Sequence, residues 1–247
     1  MGEPWTPAFA GVTTGEICGE ADYTIMHHLT KVRLAEADWN KIKEIAKEAV
    51  GKGPGSHGWD HVRRVYELCL KIGRKEKADL TVLGLAALLH DIGRQEEKAS
   101  KGKVCHARVG ARKAAEILAP LKLSPDTFRA VIHCIRSHRF RGNHPPDSLE
   151  ARVLFDADKL DSLGAVGVGR AFLFAGEVGA RLHNAHKDLS LTVSYSWEDT
   201  AFREFQVKLR KVKDRMQTRT GKALAESRHR FMVRFFTRLD QEVKALK

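Results

Sequence analysis

An all-α fold is what this sequence predicts, and three observations carry the expectation. Apolar residues recur at helical spacing from about residue 37 onward. No strand-length segment alternates apolar with polar residues. Helix-starting and helix-stopping signals fall between the periodic stretches. Of the 247 residues, 43% are hydrophobic, enough for a packed core in one large helical domain and against global disorder.

Residues 1–30 stand apart. MGEPWTPAFAGVTTGEICGEADYT is rich in Gly and Pro and has no helical period, so it reads as a poorly ordered extension, with Met26 a candidate natural start. The helical domain is expected over 31–247. Asp38 can cap a first helix with Trp39, Ile42, Ile45 and Ala46 on one face, ended by the loop Gly51-Lys52-Gly53-Pro54-Gly55-Ser56. A second helix runs from Trp59-Asp60 to Gly73. A third, from about Ala78 to Asp91, is apolar on most faces and should be central. A fourth covers about His106 to Leu118. The fifth opens at Ser124-Pro125, a cap followed by proline at the first helical position. Ser148 begins a helix carrying Asp158, whose glycine-rich continuation through Gly164, Gly167 and Gly169 implies close packing or a break. Residues 177–196 read as a loop. Ser196 then caps a long basic helix to about Arg215, and Gly221 separates it from a last helix with Phe231, Val233, Phe235, Phe236 and Leu239.

The formal charge is +12, which favours anionic partners: phosphorylated metabolites, nucleic acid or an acidic surface. A soluble protein with a basic face is the plainer alternative. The excess is dense at Lys208, Arg210, Lys211, Lys213 and Arg215, with no aromatic-interleaved RNA motif beside it. No run of about 18 apolar residues predicts a membrane span. The four cysteines, Cys18, Cys69, Cys105 and Cys134, form no CxxC; together with the lack of a secretion signal they fit a reduced, cytoplasmic setting.

The chemistry lies in the pattern H…HD…D: His61, the pair His90-Asp91, and Asp158, each in a helical segment. Imidazole and carboxylate together suit a divalent ion such as Mn, Fe, Co, Ni or Zn, with Mg also open. Helices of a bundle can converge such ligands on one ion. His90-Asp91 follows the apolar run LGLAALL, where a charge is costly unless paired or metal-bound. A buried salt bridge to Arg94 or His61 is the structural alternative.

The elements SHGWDHVRRV, LAALLHDIGR and LFDADKLDSLGAVGVGR, with the later RAFLFAGEVG and AESRHRFMVRFF, resemble the HD-domain metal-dependent phosphohydrolases over about residues 37–240. Within them they resemble a bacterial subgroup related to nucleotide pyrophosphohydrolases. The resemblance implies a single HD-type helical bundle and His61, His90, Asp91 and Asp158 as metal ligands, with Asp91 also helping to activate water. Asp156 and Asp161 are then candidates for orienting a ligand. Lys159 resembles a phosphate-contacting lysine of some relatives. Arg64, Arg94 and Arg141 are further phosphate-clamp candidates, since a guanidinium matches phosphate oxygens bidentately. HARVGARKA and IRSHRF resemble positions used by two-metal relatives, which points to His106, His133 and His138. Because His133 and His138 are five apart, a single ion is the favoured expectation, with His106 a substrate contact, a proton donor or a second-ion ligand. The acidic pair of alarmone hydrolases is replaced by Arg94 and Gln95, and the GYP signature of cyclic-dinucleotide enzymes is missing.

The expected function is hydrolysis of a small phosphorylated substrate, foremost a nucleotide, with triphosphate going to monophosphate plus diphosphate. The alternatives are a nuclease or nucleic-acid binder using the basic C-terminal helices, and a nucleotide-binding module without turnover. The apolar face of the last helix would serve a monomer core or a dimer equally well.

Overall fold

The computed structural model describes residues 34–51, 57–100, 103–139, 144–184 and 188–245. Among them are ten α-helices, two 3₁₀ segments and no strand, and they belong to one compact unit beginning at Leu34. The proposed N-terminal extension, Met26 and Cys18 lie outside the described residues.

Helix α1 spans Glu36–Val50, α2 Trp59–Glu76 and α3 Leu80–Leu89. Helix α3 is the axis of the fold. Residues Val82 through Leu89 are all buried, and α1, α2, α6 (Pro125–Ser137) and α7 (Leu149–Leu160) pack around it. A helix apolar on all sides can be stable only where neighbours cover every face. The Asp79 side chain caps it, accepting from Thr81 N at 2.8 Å and Val82 N at 3.2 Å. Ser124 and Ser148 cap α6 and α7 as their sequences predict, accepting from Thr127 N and Ala151 N.

Several expected boundaries are corrected. Helix α1 begins before Asp38, which sits in its first turn; Ala35 holds the cap position and no side chain caps it. Helix α2 passes through Gly73 to Glu76. That glycine makes room for a neighbour: a Cβ there would lie 2.4 Å from Leu83 Cδ1. The chain leaves α3 at His90, not Asp91, and after Gly93 forms a short helix α4, Arg94–Ala99, that the periodicity does not announce. Helix α5 spans His106–Leu118. Helix α8, Gly164–Glu177, follows a break at residues 161–163.

The long helix expected from Ser196 to Arg215 is not formed. Thr200 caps a seven-residue helix α9, Ala201–Val207, and residues 209–215 continue as a 3₁₀ segment. In the 3₁₀ segment Leu209 and Val212 are both buried. Ser196 instead accepts from Glu198 N and donates to Val193 O. Nor does Gly221 stand before the last helix. Helix α10, Arg219–Val243, is capped by Thr218, whose Oγ1 accepts from Gly221 N at 2.9 Å.

Candidate metal centre

His61 is the third residue of α2, His90 and Asp91 leave the end of α3, His106 opens α5, His138 follows α6, and Asp158 lies near the end of α7. All six are buried. Their donor atoms form two groups, His61–His90–Asp158 and Asp91–His106–His138, and within each group the atoms lie within 4.8 Å of one another.

Asp91 joins the groups. Its Oδ2 lies 3.5 Å from His61 Nε2 and 3.6 Å from His90 Nε2. Its Oδ1 lies 3.6 Å from His106 Nε2 and 3.7 Å from His138 Nε2. The turn that places it depends on Gly93, where a Cβ would stand 2.4 Å from the His106 carbonyl oxygen and 2.7 Å from Gly110 N. Only glycine lets the turn after His90-Asp91 close against α5.

The four imidazoles share one orientation. His61 Nδ1 donates to Asp161 Oδ2 at 2.7 Å, His90 Nδ1 to Ala87 O at 2.8 Å, His106 Nδ1 to Glu97 Oε2 at 2.9 Å, and His138 Nδ1 to Ile135 O at 2.6 Å. With Nδ1 spent as donor, each Nε2 turns inward as a ligand atom, the arrangement usual for metal-bound histidine. Inside, Nε2 faces Nε2 at 3.3 Å between His90 and His61 and at 3.0 Å between His106 and His138. Where both rings of a pair are neutral, two acceptors at that separation repel, and a cation between or beside them relieves it. Asp91 Oδ2, fully buried, has no hydrogen-bond partner among the described residues. A buried carboxylate oxygen left so is costly, and a cation relieves it. The residues therefore fit divalent ions.

The electrostatics agree. Burial pushes the Asp91 carboxyl up, but Arg94 and His90 outweigh it and hold it well below the usual carboxylate range. Asp158 is likewise raised by burial and brought well below by Lys159, His61 and His90. Burial lowers His90 to about 4 and His106 to about 2, so both are neutral. His61 is raised: burial lowers it, but its hydrogen bond to Asp161 and the nearby Asp91 carboxylate win.

Of the two carboxylates expected beside the ligands, only Asp161 is there. It accepts from His61 Nδ1, from Arg64 Nε at 2.7 Å and Nη2 at 3.1 Å, and from Arg170 Nη1 at 2.9 Å. Asp156 faces away and accepts from Gln217 N, Thr218 N and Thr218 Oγ1 at the start of α10. Arg64, read as a phosphate clamp, is thus paired with Asp161. Arg94 donates from Nε to Asp91 Oδ1 at 2.9 Å and from Nη1 to Glu97 Oε2 at 3.1 Å. The salt-bridge alternative for Asp91 is real on that one oxygen. Lys159 Nζ pairs with Asp158 Oδ2 at 2.6 Å and lies over the Phe155 ring. Arg141 lies outside the described residues. His133 stays apart from both groups, its carbonyl accepting from Ser137 Oγ.

Sequence reasoning passed over Arg170, Arg139 and the orienting role of Glu97, which accepts from Arg139 Nη1 as well as His106 and Arg94. The signal for Glu97 was its place one helical turn after Arg94.

The HD-domain family profile matches residues 58–163, which contain all six centre residues. YpgQ of Bacillus subtilis (strain 168) is 35% identical over 194 residues, 77% of this chain and 86% of YpgQ. The crystal structure of YpgQ in complex with ADP superposes with a TM-score of 0.64 at 31% identity, covering 83% of this chain and 95% of that one. An HD-superfamily hydrolase from Bacillus thuringiensis gives a TM-score of 0.65 at 28% identity, covering 85% and 98%. With the histidines and aspartates of its motifs gathered in one buried centre, the chain belongs to the HD-domain family, the metal-dependent phosphohydrolases that its motifs resemble.

Proposed function

We propose that this chain hydrolyses a phosphoanhydride or phosphoester bond of a nucleotide at a two-ion centre. The first ion would be held by His61, His90, Asp158 and Asp91, the second by Asp91, His106 and His138. The observation that carries this reading is Asp91, which turns one oxygen to each histidine pair. It extends the single-ion expectation, and gives His106 the part of ligand.

Bound divalent ions polarise phosphoryl oxygens and supply a water nucleophile at neutral pH. The chain's residues do the rest. Asp91 is ionised and orients the attacking water. Lys159 and Arg94, 29% and 26% exposed, stand at the edge of the buried cluster, where cations neutralise an arriving phosphate. The ADP bound by YpgQ supports a nucleotide, and the subgroup resemblance favours nucleoside triphosphate giving monophosphate plus diphosphate. The basic segment after α9 supports a nucleic-acid partner less well, because Lys208 and Arg210 are tied to Glu204 and Gln206.

Product chromatography tests the proposal. Metal-loaded protein would be incubated with nucleoside mono-, di- and triphosphates, sugar phosphates and short single strands. A nucleotide product that vanishes in Asp158→Ala, together with the bound metal, is expected. Full turnover by a metal-free Asp158→Ala protein defeats it, as does exclusive cleavage of strands.

A further inference from the structure

The two oxygens of Asp91 are not equivalent. Oδ2 has no hydrogen-bond partner among the described residues and faces His61 and His90. Oδ1 faces His106 and His138 but also carries the Arg94 guanidinium, with Nε at 2.9 Å. The first group thus offers an unclaimed carboxylate oxygen, whereas the second offers one already neutralised by a fixed positive charge. Any ion at His106 and His138 must share Oδ1 with that guanidinium or displace it. In either case it meets a like charge across a few ångströms of buried, low-dielectric space.

We propose, resting on the two-ion reading, that Arg94 is a placeholder cation for the second ion and makes loading sequential: the His61–His90–Asp158 group fills first and tightly, and the Asp91–His106–His138 group later and weakly. Displacement has a ready destination. Arg94 Nη1 is already bonded to Glu97 Oε2 at 3.1 Å, and the Arg94 side chain is 26% exposed, so it can pivot on Glu97 toward the open edge. There a guanidinium is suited to grip phosphate oxygens in a fork. Arrival of the second ion and capture of a phosphate group are thereby coupled through one side chain. Arg94 is a positioning residue for the ion and, once released, a substrate contact. The other basic groups at the centre do not share this arrangement: Arg64 and Arg170 are on Asp161, Arg139 is on Glu97, and Lys159 is on Asp158 Oδ2, whereas Asp158 Oδ1 faces His61.

The test is Mn titration of full-length wild type, Arg94→Gln and Arg94→Lys. Free Mn and spin-coupled Mn pairs would be followed by electron paramagnetic resonance, with helical content checked by circular dichroism. Wild type is expected to bind one ion tightly and a second at least tenfold more weakly, a gap of about 1.4 kcal/mol. Arg94→Gln, which keeps polarity but removes charge, is expected to bind the second ion about tenfold more tightly than wild type and to show the coupled signal at lower Mn. Arg94→Lys, which keeps the charge, is expected to stay near wild type. A merely structural arginine would weaken binding when lost, not strengthen it. Equal affinities for two ions in wild type, or a second ion no tighter in Arg94→Gln, overturns the placeholder role alone. A second ion that never binds in any of the three proteins overturns the two-ion reading itself.

Discussion

His61 is gripped at both ends: Asp161 takes the Nδ1 proton, and Nε2 lies 3.5 Å from both Asp91 and Asp158. Its raised pKa means that the ring still holds a second proton, on Nε2, at pH values where an ordinary histidine has lost it. Metal binding must expel that proton. Affinity is therefore expected to fall as pH drops through the raised His61 pKa, with proton release on binding, read by calorimetry in buffers of different ionisation enthalpy. Asp161→Asn is expected to cost about 10–100-fold in metal affinity, the usual scale for losing the partner of a ligand histidine, with helical content unchanged. An affinity insensitive to both pH and Asp161→Asn would show that Asp161 holds Arg64 and Arg170 and nothing more. The H…HD…D residues were legible because His90-Asp91 places a charge at the end of an apolar run, where it is costly unless paired or metal-bound. The choice of Asp161 over Asp156 was not: both lie in one acidic stretch, and only the direction of each side chain separates them.

At the scale of elements, Asp156 shows what the other carboxylate does. It accepts from two backbone amides and the Thr218 hydroxyl, and so pins the first turn of α10 to α7. Burial raises its pKa, and its three hydrogen bonds resist the shift. Asp156→Ala leaves those donors buried without an acceptor and is expected to cost about 1–3 kcal/mol in denaturant unfolding, while metal affinity stays near wild type. Loss of metal binding in that variant would return Asp156 to the centre. Helices α6 and α7 were readable because their starts are written within three residues, in the Ser124 and Ser148 caps and in the Pro at the first position of α6. Helices α4 and α9 were not: α4 follows a turn closed by Gly93 against α5, and α9 starts at a Thr200 cap four residues after the Ser196 that sequence favoured.

For the whole molecule, the centre gathers side chains from α2, α5 and α7 and from the chain just beyond α3 and α6. An ion there cross-links segments far apart in sequence and binds the folded state far better than the unfolded one. Chelation is expected to lower the melting temperature by several degrees, the size of a linkage of about 2–3 kcal/mol in a chain of this length, and re-addition of metal to restore it. A melting temperature indifferent to chelator and to added Mn would count against tight metal binding. No helix among the described residues is long and apolar enough to cross a membrane.

By itself the sequence determined the all-α class, the buried central helix, the capped starts of α6 and α7, and the H…HD…D residues that gather in the buried centre. Each of these is written locally, in period, cap and composition. The tertiary structure decided what local signals do not carry. His138 rather than His133 reaches Asp91, Glu97 orients His106, and Arg94 lies on one oxygen of Asp91 while the other is left to the first group. The physical reason is that these choices depend on which faces of distant helices are pressed together around α3, and packing, not spacing along the chain, sets the few ångströms that separate a ligand from a bystander.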